Sequence, residues 1–209
     1  MALPDPQPPH RCGDTMLATV RRAIGDDDLW VFAYASLIWR PEQPVADTRP
    51  AVLHGHHRAL QMWSRVNRGT PQRPGLVFAL LSGGCCKGQV QRVAAPDVAH
   101  YLPLLWAREM PNPVYDPKWL TVQTPQGPVK ALAFTLSRHS PSFTGHLSSA
   151  EYADIFRHAR GRYGTTWDYA WDTHHQLARM GIHDRALGRL LHSYRPEAHG
   201  TPLHHAHTP

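Results

Sequence analysis

A carboxylate set among aromatic side chains is the first residue in this chain whose surroundings suit it to chemistry. Glu109 stands in Trp106-Ala-Arg108-Glu109-Met110, and Tyr115-Asp-Pro117-Lys-Trp119 follows a few residues later. An apolar setting disfavours the charged form of a carboxylate, raises its pKa and lets it take and return a proton near neutral pH. The competing reading is an ordinary ion pair at the surface, with Arg108 as the adjacent partner. A second candidate is the stretch Trp30-Val-Phe-Ala-Tyr-Ala-Ser-Leu-Ile-Trp-Arg-Pro41. Val31, Phe32 and Tyr34 give it strand character. Ala33, Ala35 and Ser36 carry little bulk, so the backbone N–H groups of Tyr34, Ala35, Ser36 and Leu37 are placed to receive an anion or a carboxylate. The same stretch also reads as a buried first strand followed by a plain surface turn.

The remaining candidates are weaker. His54 and His56 share one strand face, yet spacing supplies no third metal ligand, and the same holds for His174 and His175. Asp168 and Asp172, four apart on a helix, form either a carboxylate pair or a solvated face. Tyr34, Tyr115 and Tyr169 are pocket residues or core aromatics with bonded hydroxyls. No metal site and no cofactor is expected.

These groups must be positioned by strands first and helices later. Thr15 to Gly25 has helical spacing, with Met16, Leu17, Val20 and Ile24 apolar and Gly25 as a stop. A strand follows Asp26-Asp27-Asp28, and another runs from Ala51 to Ser64 with a bulge expected at Gly55. Leu76 to Leu81 and Cys86 to Val93 read as a hairpin turning at Ser82-Gly83-Gly84. Pro96 opens a helix that ends at Glu109, and Pro103 is expected to kink it or split it in two. Trp119 to Thr124 and Val129 to Leu136 form a further strand pair. Ser148-Ser-Ala-Glu151 is a capping box for a helix to about Arg160, and helices from Thr165 to Arg179 and from Asp184 to about Tyr194 complete the chain. The expectation is an α+β domain, a small curled mixed β-sheet or barrel flanked by helices.

The chain has 209 residues, enough for one well-buried domain, with 42% hydrophobic and 18% charged residues. The expected organisation is a flexible leader with a short helix over 1–28, one domain over 29–195 and a histidine-rich disordered tail over 196–209. The leader holds Pro4, Pro6, Pro8 and Pro9 without the apolar run of a secretory signal. No stretch approaches the ~20 apolar residues of a membrane span, so no membrane is expected. Three cysteines, two of them the adjacent Cys85-Cys86, make no disulfide framework, which suits a reducing, cytoplasmic setting. The formal charge of +6 is scattered along the chain, which gives little support to nucleic-acid binding and suits a small anionic substrate equally well; no nucleic acid is expected.

The opening strand and turn resemble the Phe-Gly-Tyr-Gly-Ser-Leu-Ile-Trp signature of the ChaC family, the glutathione-specific γ-glutamylcyclotransferases, with Ala33 and Ala35 where that family has glycines. Arg-Glu-Met followed after four residues by Tyr-x-Pro-x-Trp is similar to the family pattern around its catalytic glutamate, so the resemblance gives Glu109 that role. It continues through Arg68-Gly69-Thr70-Pro71, Pro74-Gly75, Gly161, Gly164, Tyr169, Leu177, Gly181 and Asp184, and so covers roughly residues 29 to 195. It implies a γ-glutamylcyclotransferase-like fold and the cleavage of glutathione to 5-oxoproline and Cys-Gly, with Tyr34, Ala35, Ser36, Leu37 and Tyr115 around the substrate. Alternatives that keep the fold are a different γ-glutamyl amine as substrate, or a binding protein without catalysis. If the turn uses a positive φ at Ala35, alanine there costs ~1 kcal/mol or more; if φ is negative, little is lost.

Overall fold

The computed structural model describes residues 13–41, 45–111 and 113–194; the leader up to residue 12 and the histidine-rich tail lie outside the described residues. In chain order the elements are α1 (Gly13–Ile24), β1 (Leu29–Ala33), α2 (Ser36–Trp39), β2 (Asp47–Ser64), β3 (Gly75–Val93), α3 (Ala95–Glu109), β4 (Asp116–Thr124) and β5 (Gly127–Thr135). They are followed by α4 (Ser149–His158), the short strands β6 (Arg160–Gly161) and β7 (Gly164–Thr165), α5 (Thr166–Arg179) and α6 (Arg185–Ser193). Five strands close a barrel in the order β1-β3-β2-β4-β5, and a single parallel contact, Val31 with Leu132, joins β5 back to β1. The α+β expectation of a small mixed barrel flanked by helices describes this molecule.

Strand alternation divides the buried side chains into two groups. Phe32 and Tyr34 belong to a cluster with Leu53, Phe78, Leu80 and Val90 that extends to Phe156, Tyr169, Leu177 and Leu191 on the late helices. Leu29, Val31 and Ala33 point the other way, into a cluster with Leu132, Phe134 and the Leu102, Leu105 and Trp106 face of α3. Tyr34 and Ala33 therefore sit where both cores meet the end of β1, which fixes the start of the turn.

Two expectations need correction. Ser82-Gly83-Gly84 does not reverse the chain: β3 is one strand of 19 residues, paired antiparallel with β2 from Asp47–Arg92 to Ser64–Gly75. Gly83 (φ 94°) and Gly84 (φ 76°) instead form the wide side of a bulge opposite Gly55 (φ 78°), between the His54–Cys85 and His56–Ser82 pairs. Two residues against one bend both strands together without breaking them. The bulge expected at Gly55 is thus present, with its counterpart on β3. Pro103 leaves α3 as one helix from Ala95 to Glu109. The vicinal cysteines are divided by strand alternation, Cys86 buried and Cys85 exposed, and burial pushes the Cys86 thiol up to about 11.

The capping box at Ser148 forms as the sequence reads. Ser148 Oγ accepts from the Glu151 backbone N–H at 3.3 Å, and the Glu151 carboxylate accepts from the Ser148 N–H at 2.7 Å. Ser148→Ala is expected to cost about 1 kcal/mol, or roughly 2–4 °C in Tm for a domain of this size, measured by thermal denaturation.

Candidate active site

The last turn of α3 carries Arg108 and Glu109 towards the segment that leaves β1. Arg108 Nε lies 3.1 Å from Glu109 Oε1, with side-chain exposures of 17% and 15%. The ion pair weighed as the competing reading is therefore real, but it is mostly withdrawn from water rather than a solvated surface pair. The same guanidinium reaches across the fold. Its Nη2 donates to Ser36 Oγ at 3.1 Å and its Nη1 to the Arg40 carbonyl at 2.5 Å. Arg108 thus joins the two candidate halves of the site, which are 72 residues apart in sequence.

The turn itself is one helical turn, α2, preceded by Ala35 at φ −143° and ψ −122°. That φ lies outside the left-handed region, so the alanine in place of a family glycine carries no positive-φ penalty. Two further side chains hold the segment. Arg58 Nη1 donates to the Tyr34 carbonyl at 2.8 Å, and Gln91 Nε2 donates to the Leu37 carbonyl at 2.8 Å from a side chain that is almost fully buried.

Around Glu109 stand three buried tyrosines. Tyr34 donates its hydroxyl to the Phe134 carbonyl at 3.1 Å. Burial pushes that hydroxyl well above its ordinary range, with the negative fields of Tyr115 and Glu109 adding to it. Tyr115 is raised in the same way by burial and then by Glu109 and Tyr169, and a hydrogen bond with Tyr34 acts against the rise. Tyr169 is pushed up to about 12, chiefly by burial and also by Glu109, while its bond with the Phe78 N–H and the cations Arg68 and Arg108 act against the rise. All three remain protonated donors at neutral pH. Arg68 lies over the Tyr169 ring, 4.8 Å from its centroid, and donates to the Tyr163 carbonyl. The structure thus brings Glu109, Tyr34, Tyr115, Tyr169 and Ser36 into one cluster.

Other sequence candidates fall elsewhere. Asp168 is the N3 acceptor of the α5 capping box, bonded to Thr165. Asp172 is raised by burial and by Asp168, an effect that Arg68 opposes. His174 and His175 both pack, tilted, against the Trp171 ring. Among the described residues, no three His, Cys, Asp or Glu side chains gather in a way that could hold a metal. Two of the open grooves on the surface of the described residues lie elsewhere. One, of about 540 Å³, runs between Trp63 and Ile155; the other, of about 630 Å³, lies between Asp28 and Lys130. Neither is lined by Glu109 or its tyrosines, and the site is assigned on the chemistry of the cluster rather than on concavity. Sequence reasoning missed Arg58, Gln91 and the bridging role of Arg108, because their partners are remote in the chain.

Residues 29–197 match the family described as ChaC-like protein. The chain belongs to the ChaC family. Among similar ChaC relatives, the glutathione-specific gamma-glutamylcyclotransferase of Escherichia coli is 29% identical over 87% of this chain and 79% of its own. The human glutathione-specific gamma-glutamylcyclotransferase 1 is 32% identical over 78% of this chain and 76% of its own. A solved structure titled as the yeast gamma-glutamyl cyclotransferase specific to glutathione superposes with a TM-score of 0.72, covering 83% of this chain and all of that one at 20% identity, which shows a shared ChaC fold. No helix among the described residues is long and apolar enough to cross a membrane.

Proposed function

We propose that the chain is a γ-glutamylcyclotransferase that cleaves glutathione to 5-oxoproline and Cys-Gly, with Glu109 as acid and base. The observation that carries this reading is the Arg108 bridge, which ties a largely desolvated carboxylate to Ser36 of the turn that would hold the γ-glutamyl group. The names of its ChaC relatives support the substrate.

The reaction needs few groups. The α-amine of a γ-glutamyl peptide is already tethered to the carbonyl it attacks, so ring closure needs no protein nucleophile and no metal. Glu109 takes a proton from the α-ammonium, the freed amine adds to the γ-carbonyl carbon, and the tetrahedral oxyanion collapses as the C–N bond to cysteine breaks. Glu109 passes its proton to the departing nitrogen, and the proton that addition leaves on the ring nitrogen moves through the same carboxylate to the released amine, which leaves as the ammonium of Cys-Gly, so the proton count closes and no water is consumed. Backbone N–H groups from Tyr34 to Leu37 offset charge on the oxyanion. The Tyr34 and Tyr115 hydroxyls line the cluster as neutral, already bonded groups, and the Arg68 guanidinium favours the carboxylates of an anionic substrate. The reading includes a reducing, cytoplasmic setting and a small-molecule substrate without nucleic acid, membrane or cofactor.

Incubation with glutathione, γ-glutamyl-alanine and other γ-glutamyl amines, with 5-oxoproline quantified, tests this directly. Product from glutathione is expected; none from any compound removes the enzyme reading, and product only from another compound reassigns the leaving amine. Ala35→Gly is expected to leave glutathione turnover within about twofold, because its φ needs no relief, and to lower stability by about 0.5–1 kcal/mol through backbone entropy. A large gain in turnover would show that the Ala35 methyl crowds the substrate.

A further inference from the structure

We propose that Arg58 is a positioning residue for this site, setting the orientation of the Tyr34–Ala35 peptide, and that Asp184 at the start of α6 holds Arg58 in place. The proposal rests on the proposed function only for its kinetic consequences. Arg58 projects from β2 with 5% of its side chain exposed, and it is fully engaged. Nη1 donates to the Tyr34 carbonyl at 2.8 Å and to the Lys87 carbonyl at 3.1 Å, while Nη2 and Nε lie 3.0 and 3.3 Å from Asp184 Oδ2. The planar fork can serve these partners at once; a lysine ammonium has no such fixed geometry.

The consequence for the turn follows from peptide geometry. A trans peptide is planar, with the carbonyl of one residue and the N–H of the next pointing in opposite directions. Pinning the Tyr34 oxygen to Arg58 therefore directs the Ala35 N–H away from Arg58, and this N–H is one of the donors assigned to the substrate. Tyr34 is also the residue whose hydroxyl stands beside Glu109 and Tyr115. Arg58 thus fixes the main chain of a residue whose side chain belongs to the cluster. Asp184 divides its carboxylate between two tasks: Oδ2 faces Arg58, and Oδ1 accepts the Leu187 N–H as the N-cap of α6. The C-terminal helix is coupled to the binding turn through one side chain 126 residues away from Arg58.

Three variants separate this role from a merely structural one. Arg58→Ala is expected to lower kcat for 5-oxoproline release by about 10–100-fold, less than the ~10²–10³-fold of removing a transition-state donor outright because the Ala35 N–H is misaimed and not lost, with KM changed by less than about threefold. Added guanidinium at millimolar concentration is expected to refill the vacated space and restore part of that kcat. Arg58→Lys falls in between and serves if the alanine variant does not fold. Asp184→Asn keeps the α6 cap, since asparagine caps as well as aspartate, and removes only the charge facing Arg58. Its loss is expected to be about 3–10-fold and to vanish in the Arg58→Ala background, as coupled residues require. Independently of turnover, the Ala35 amide resonance in a ¹H–¹⁵N spectrum is expected to shift in Arg58→Ala and to move back with guanidinium. A kcat within twofold of the unaltered chain in folded Arg58→Ala, a loss confined to KM, or an unmoved Ala35 amide overturns the proposal. Absence of 5-oxoproline from the unaltered chain overturns the function instead, and the amide shift then decides the positioning role alone.

Discussion

Glu109→Gln is expected to lower kcat for 5-oxoproline release from glutathione by about 10²–10⁴-fold, the usual contribution of a positioned general acid and base. The substitution isolates proton transfer. Glutamine has the size of glutamate, and its side-chain oxygen can still accept from Arg108 Nε where the carboxylate oxygen now lies at 3.1 Å. The Arg108 bonds to Ser36 and to the Arg40 carbonyl do not involve Glu109. The turn should therefore stay in place, and KM and Tm should move little. An amide cannot take the α-ammonium proton, so the tethered amine stays unreactive whatever the binding. Glu109→Asp offers a graded companion: withdrawing the carboxylate by one methylene, about 1 Å, is expected to cost ~10²-fold in kcat. The measurement is steady-state 5-oxoproline formation beside a thermal melt. Undiminished kcat in folded Glu109→Gln would remove Glu109 from the chemistry and leave it as the partner of Arg108.

Much of the scaffold is written in local sequence, and the exceptions share one cause. The Ser148 capping box, the stop at Gly25 and the Gly55 bulge depend on residues within one turn or one strand, and each forms. Ser82-Gly83-Gly84 has the composition of a hairpin turn, but β2 lies alongside both halves of β3, and that pairing, set some 30 residues upstream, keeps the strand running. Glu109 was legible as a candidate because a carboxylate between Trp106 and Tyr115 is locally unusual, but the residues alone left the ion pair with Arg108 open, and its proposed role came from the resemblance to the family. Arg58 was not, since it reads as one more polar residue beside His54 and His56 on an alternating strand. Its meaning comes from Asp184 and from the Tyr34 carbonyl. The spacing of Ser36 and Arg108 likewise says nothing of the bond that unites them. Side chains that connect elements across the fold acquire their roles only when the fold is closed.

The glycines of the loop from Asn67 to Gly75 belong to this second kind, and Gly75→Ala is expected to be the most damaging single methyl among them. A Cβ built on Gly75 would stand 2.1 Å from the Arg68 carbonyl oxygen and 2.6 Å from Thr166 Oγ1. The first is backbone and cannot rotate away. The second is the acceptor of the buried Leu76 N–H at 2.8 Å, so relief by moving Thr166 strands that donor. Gly69 and Gly161 close the same knot: their Cβ atoms would meet the Gly75 nitrogen at 2.0 Å and the Asn67 carbonyl carbon at 2.5 Å. Overpacking together with a lost buried hydrogen bond is expected to cost about 3 kcal/mol or more, or roughly 6–12 °C in Tm for a domain of this size. Gly181→Ala provides the contrast. Its φ is +72° with nothing within 4 Å of the added carbon, so it bears only the backbone penalty of about 1 kcal/mol and 2–4 °C. The loop also carries Arg68 over Tyr169, and pushing the Arg68 carbonyl aside moves that guanidinium off the ring. Gly75→Ala is therefore expected to raise KM for glutathione even below its melting range, whereas Gly181→Ala leaves it unchanged. Equal Tm losses in the two variants would mean that the loop yields to the methyl and that crowding does not hold Arg68 in place.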